Sequence, residues 1–230
     1  MPELNRVSVT AVTAFVDWNS QIHRARRPRS DPMAIAQATL EYVGRAIGRA
    51  LTSINHTARF DVSLRLYHGW HRGFEPTENR KALTTAAAGA DFSALSTRAN
   101  VVVRPEISFG NRLLSALDTR LHPRLGIHLP NTLRRSTRAS AGPDEVEEKM
   151  VDTAIATDMV DLAHREPDRW IVVLGDDDDL IPPIYAAEAI RGRNQGRVLL
   201  VRSRTGGAFL ALRRFKWILG CRVAGLRSGR

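Results

Sequence analysis

Two apolar stretches of this chain run straight into carboxylates, a pattern suited to holding a hard cation. Trp170-Ile171-Val172-Val173-Leu174 ends in Gly175-Asp176-Asp177-Asp178-Asp179, followed by Leu180-Ile181-Pro182-Pro183. Neighbouring carboxylates in a partly dry site repel one another strongly, and a cation relieves the repulsion. The other stretch, Val7 to Val16, is rich in β-branched residues and stops at Asp17-Trp18-Asn19. The plain alternatives are a solvated loop leading into an acidic helix start for residues 176–179, and a turn cap for Asn19 in place of a water or phosphate ligand.

A third acid comes from a helix. Pro143-Asp144-Glu145-Val146-Glu147-Glu148 has the composition of an acidic first turn, and the helical pattern continues to about His164. Helical spacing from Asp152 puts Ile155, Ala156, Met159 and Ala163 on one stripe, so Asp152 is expected on the core-facing side. Asp158 and Asp161 fall away from that stripe and read as solvated charges. An unpaired charge at Asp152 would be costly; Lys149 is its alternative partner, which would make an ion pair and no ligand. Together Asp17, Asp152 and the 176–179 run offer oxygen ligands only, which favours Mg²⁺ or Mn²⁺ over zinc. The histidines show no zinc-type spacing; His68 and His71 merely flank Trp70. Such a pocket suits hydrolysis of a phosphodiester by metal-activated water.

The elements that must carry these groups alternate. Strand patterns fall at about Val7–Asp17, Phe60–His68, Asn100–Pro105, Arg169–Gly175 and Arg197–Arg202, with helical patterns at about Pro32–Asn55, Glu78–Ala94, Asp144–His164 and Pro182–Arg193. The alternation predicts an α/β fold with a mostly parallel sheet and helices on both faces. In such sheets ligands bind at the carboxyl ends of the strands. Residues 108–142, rich in Pro, Gly and Arg, read as an insertion within a domain spanning 1–205. Residues 206–230 read as a basic C-terminal extension, with a short strand at Gly206–Leu212.

The chain has 230 residues, 43% of them hydrophobic, enough for one α/β domain. Its formal net charge is +10, so an acidic pocket would open in a basic surface that attracts phosphate backbones. Arg24, Arg26 and Arg27, just after the Asp17 strand end, are placed to meet such a backbone. Trp18, Tyr67 and Trp70 read either as base-stacking groups or as core. A single cysteine, Cys221, allows no internal disulfide and suits a reducing compartment. There is no apolar run long enough to span a membrane and no secretory-signal pattern, so a cytoplasmic location is expected.

Three pieces resemble a known family. Phe15-Val16-Asp17-Trp18-Asn19 is similar to the opening strand end of NYN domains, a branch of the PIN-like ribonucleases. Lys149-Met150-Val151-Asp152, with Ala156-Thr157-Asp158 and Leu162-Ala163, resembles that family's K-G-V-D helix, and Val173 to Pro182 its V-L-x-S-G-D-S-D-F-x-P segment. The segment Leu64 to Gly69 resembles its second strand. Met150 stands where the family has Gly. Anchoring on Pro182 makes Asp177 and Asp179 the family carboxylates; anchoring on Gly175 selects Asp176 and Asp178. The resemblance implies a PIN-like three-layer α/β/α sandwich and a metal-dependent endoribonuclease. Asp17, Asp152 and Asp177 would hold Mg²⁺ or Mn²⁺, with Asp179 a secondary ligand or water-orienting group. Asn19, the arginines 24, 26 and 27 and Lys149 would contact RNA. A homodimer is compatible with it, as is a catalytically inactive RNA-binding or regulatory module. A phosphatase acting on small esters is disfavoured by the lack of an Asp-x-Asp nucleophile near the N-terminus.

Overall fold

Five consecutive buried residues, Val12 to Val16, place strand β1 (Val9–Asp17) in the middle of a sheet covered on both faces. In the computed structural model the described residues are 9–25, 31–72, 75–117, 133–135, 146–148, 150–191, 196–202 and 218–220. After β1 come α1 (Trp18–Ile22), α2 (Pro32–Ile54), β2 (Arg59–Tyr67), the two-residue strands β3 (His71–Arg72) and β4 (Glu75–Pro76), α3 (Glu78–Ala88), β5 (Val101–Phe109) and α4 (Leu114–Leu117). The chain continues through β6 (Leu133–Arg135), β7 (Val146–Glu148), α5 (Val151–Arg165), β8 (Trp170–Leu174), a 3₁₀ turn (Asp178–Leu180), α6 (Ile181–Arg191), β9 (Val198–Arg202) and β10 (Ile218–Gly220).

The main sheet has the order β10-β9-β8-β1-β2-β5, and every neighbouring pair is parallel. Alternate residues of each strand feed two cores, as the two-residue period requires. Val12, Ala14, Val16, Leu64, Leu66, Val172 and Leu174 pack under α2 and α3. Phe15, Tyr67, Ile171, Val173, Val198 and Leu200 pack under α5 and α6. The result is a three-layer α/β/α sandwich, as the alternating pattern predicts. Helix α2 opens cleanly because Asp31 accepts the Met33 N–H at 2.9 Å and Pro32 stands at the first helical position.

The strands begin and end within two residues of expectation, apart from β5. That strand runs on to Phe109, so its last two residues belong to the sheet and not to the expected insertion. Pro105 has no N–H to give the ladder, and the pairing with β2 slips from Val62↔Val103 to Leu64↔Ile107 around it. Helix α3 stops at Ala88, short of the expected 94, where Gly89 and an Asp91 turn (Ser93 N–H to Asp91 Oδ1, 3.0 Å) intervene. The acidic residues 146–148 do not start a helix. They form β7, antiparallel to β6. The break is at Met150, which is left-handed at φ 68° and ends the extended segment immediately before α5. This is the position where the resembled family carries Gly, the residue that occupies that conformation without a Cβ clash. The strand expected at Gly206–Leu212 lies outside the described residues.

Candidate functional site

The chain leaves β1 through α2 on one face of the sheet and leaves β8 through α6 on the other. The carboxyl ends of β1 and β8 are thus the point where adjacent connections diverge, and a crevice opens there in parallel α/β sheets. Both acidic strand ends lie at this point. Val16 is paired with Leu174, so Asp17 is level with Gly175. A Cβ added at Gly175 would lie 3.7 Å from the Asp17 Cβ and 2.6 Å from Leu180 Cδ1, so only the bare glycine lets the turn fold back beside Asp17.

Asp17 is half-buried and caps α1, accepting the Ser20 N–H at 3.4 Å. Asn19 is exposed on the first turn of that short helix. Asp177 caps the 3₁₀ turn by accepting the Asp179 N–H at 3.0 Å. The acidic run alternates: Asp177 and Asp179 face solvent, and Asp176 and Asp178 are half-buried. The inner two are matched by arginines. Arg24 forms an ion pair with Asp176. Arg202, the last residue of β9 and fully buried, reaches Asp178 at 2.6 Å and donates to the Asp176 carbonyl. The repulsion inferred from four adjacent carboxylates is thus relieved in part by guanidinium groups from two distant segments.

Asp152 lies in the first turn of α5, a helix that packs against β1 and the 3₁₀ turn. It is half-buried, at the margin of the apolar stripe and not on it. The buried positions are Val151, Ala154, Ile155, Asp158, Met159, Leu162 and Ala163. The expected stripe was therefore displaced by one residue, and the buried acid is Asp158. Arg26, Arg27 and Lys149 lie outside the described residues.

Asp158 corrects the solvated reading most sharply. It is 0% exposed and accepts hydrogen bonds from the Tyr67 hydroxyl (2.7 Å), Arg65 Nε (2.8 Å) and the Leu114 N–H (2.7 Å). Arg65, 3% exposed, also lies 2.7 Å from Asp158 through Nη2, and donates to Ser108 Oγ at 2.6 Å and to the Arg112 carbonyl. Burial, then the Asp158 charge, raises the Tyr67 phenol well above its ordinary pKa, so the hydroxyl remains a donor. A Cβ at Gly110 would sit 2.1 Å from the Tyr67 ring, so the chain turns past that ring on a glycine. This network ties β2, the residues after β5 and α5 together behind the acidic edge. The pattern of the sequence held no signal for it beyond the oddity of Arg65 inside a strand.

The three aromatics are core. Trp18, Tyr67 and Trp70 are each 1% exposed, and Trp18 and Trp70 pack 6.4 Å apart. They present no stacking face to a base. A groove of about 410 Å³ between α2 and α3, lined in part by Leu40, Glu41, Arg45 and Asp91, contains none of the acidic-edge residues.

Comparison with protein-family models, curated proteins and solved structures finds no match for this chain. The site is therefore read from its own chemistry. Its donors are carboxylate oxygens without Cys or His, which fits a hard cation such as Mg²⁺ or Mn²⁺ in kind. Among the described residues, however, no three His, Cys, Asp or Glu side chains are gathered as a formed metal centre. Asp17, Asp152 and Asp177 form no such group. No described helix is long and apolar enough to cross a membrane.

Proposed function

We propose that the chain is a metal-dependent ribonuclease of the NYN/PIN-like kind, hydrolysing RNA phosphodiester bonds at the carboxyl ends of β1 and β8. The observation that supports this best is the meeting of Asp17 with the Asp176–Asp179 turn at the divergence of the sheet's connections. Asp17, Asp152 and Asp177 are the residues that would hold Mg²⁺ or Mn²⁺. Bound there, the ion would supply an activated water and neutralise charge on the phosphoryl oxygens. Asp179, exposed as Asp177 is, would orient water. Arg24 at the rim, with Arg26, Arg27 and Lys149, would contact the RNA backbone as fixed positive charges, and Asn19 would assist as a neutral donor. The lone cysteine and the basic charge suit a cytoplasmic enzyme meeting RNA in a reducing compartment.

A second reading has its own support. The ion pairs on Asp176 and Asp178, and the lack of a gathered set of three ligands among the described residues, favour an RNA-binding module that cuts nothing. Incubating purified protein with a mixed RNA pool, with and without Mn²⁺, separates the two. The nuclease reading expects Mn²⁺-dependent cleavage that Asp17→Asn and Asp177→Asn abolish while RNA binding persists. Cleavage by Asp17→Asn at the wild-type rate removes the assigned site. Binding without cleavage of single-stranded, structured and transfer RNAs establishes the second reading.

A further inference from the structure

Strands β2 and β5 end on the same edge of the sheet as β1. Asp17 is level with Tyr67, and Leu66 with Phe109, so Phe109 stands two strands, or about 10 Å, across from Asp17. Arg80, in the first turn of α3, lies with its guanidinium carbon 4.6 Å from the centre of the Phe109 ring. The buried Trp70 braces that ring edge-on at 5.0 Å. Arg80 Nη1 is 3.1 Å from His71 Nε2, and a guanidinium only donates, so the imidazole nitrogen accepts. Among the described residues no other guanidinium nitrogen of Arg80 has an acceptor, and no carboxylate pairs with it. Burial alone acts on its pKa, lowering it, as befits a half-buried cation with no acid beside it. The acids closest in sequence are placed elsewhere: Glu78 pairs with Lys81 at 2.9 Å, and Glu75 stands opposite Arg72 in the β3–β4 ladder. A partly desolvated cation gains from a counter-charge. A guanidinium stacked on an aromatic ring keeps its in-plane N–H groups available for a bidentate phosphate.

We infer that Arg80, laid on Phe109 and steadied by His71, is a subsite for a backbone phosphate of RNA at the carboxyl ends of β2 and β5. The inference rests on RNA as the partner, which both readings above share, and not on the cation. It gives the bound strand a direction: from Asp17 the backbone continues over the ends of β2 and β5. The phosphate supplies the counter-charge that the protein withholds from Arg80 and leaves the contact with His71 in place.

The test is the anisotropy of a short labelled single-stranded RNA, titrated in EDTA at a series of KCl concentrations with wild type, Arg80→Gln, Arg80→Lys and Arg98→Gln. Arg98 is an exposed cation at the opposite, amino end of β5 and serves as the control for net charge. Circular dichroism checks each fold. Arg80→Gln should bind roughly tenfold more weakly, as the loss of one charged hydrogen-bonded contact requires. Its plot of log affinity against log salt should be shallower by about 0.7, one phosphate contact on a single strand. Arg80→Lys should keep the wild-type slope, and so should Arg98→Gln. In wild type, RNA should also protect Arg80 from phenylglyoxal while Arg98 stays reactive, read by peptide mass spectrometry, which needs no variant to fold. If wild type binds RNA but Arg80→Gln keeps its salt slope, or RNA leaves Arg80 as reactive as before, the subsite is refuted and the RNA reading stands. If wild type binds no RNA, that reading falls and the subsite with it.

Discussion

Replacing Asp158 by Asn tests the buried network behind the site, and its cost follows from the geometry. The amide keeps the shape of the carboxylate and can still accept from the Leu114 N–H, now at 2.7 Å. It removes the charge that opposes Arg65 among the described residues; Arg65 is 3% exposed and contacts Asp158 through Nε and Nη2 at 2.8 and 2.7 Å. The other partners of Arg65 (Tyr67, Ser108 and the Arg112 carbonyl) are neutral acceptors. Breaking a buried pair by neutralising one member costs about 3–5 kcal/mol, because the remaining charge cannot be rehydrated. Against a typical total stability of about 5–15 kcal/mol, this is a large fraction. Urea unfolding followed by far-ultraviolet circular dichroism should show the midpoint falling by about 1–5 M for an m-value near 1–3 kcal/mol/M. Glu41→Gln is the control. Its pair with Arg45 spans 3.3 Å between side chains 53% and 40% exposed, and breaking it should cost at most about 1 kcal/mol. An Asp158→Asn loss no larger than that of Glu41→Gln would refute the view that Arg65 depends on this carboxylate.

The remaining predictions concern the same face of the molecule. Tyr67 is held neutral in the fold, with its pKa raised from the ordinary 10.0 first by burial and then by the Asp158 charge. Its contribution to stability is complete below about pH 10 and is lost as pH rises beyond that, where the unfolded chain gives up the proton first. Wild type should therefore lose stability between about pH 9.5 and 11 by up to about 1.4 kcal/mol per unit from this group. Tyr67→Phe should show a shallower fall in urea unfolding over the same range, and an equal slope would contradict the assignment. Met150→Gly should raise stability by about 0.5–1 kcal/mol, since the left-handed conformation costs Met about 1–2 kcal/mol and the added freedom of the unfolded glycine returns only part of it. Met150 is 47% exposed, so little packing is lost, and a higher midpoint in thermal melts checks the prediction.

What the sequence disclosed and what it hid follow from the range of the interactions. Strands β1 and β8 were legible because burial on both faces requires unbroken apolar runs, and their carboxylate ends were legible because charge interrupts those runs. The sheet order β8-β1-β2 then brings Asp17 and Gly175 level without further information. The start of α5 was misread because an acidic segment suits a helix N-terminus, and only the antiparallel pairing of residues 146–148 with 133–135 overrides that preference. Asp158 was misread because periodicity treats any carboxylate as solvated, whereas its partners Arg65 and Tyr67 stand more than ninety residues away in the chain. Arg202 was hidden for the same reason: it ends a strand that reads as wholly apolar, and the acid it serves belongs to the preceding turn. Trp18, Tyr67 and Trp70 could be either core or ligand platforms by pattern, and their burial decides for the core.

The slip at Pro105 reaches beyond the fold of one molecule. Strand β5 forms one rim of the sheet, and that rim lacks one amide donor and has three residues, Arg104 to Glu106, set out of step with the strand behind them. A visiting strand could not zip along it with continuous register, and Arg104 and Glu106 would set charge against any flat partner. Copies of this protein that associate would therefore not propagate the sheet through that rim.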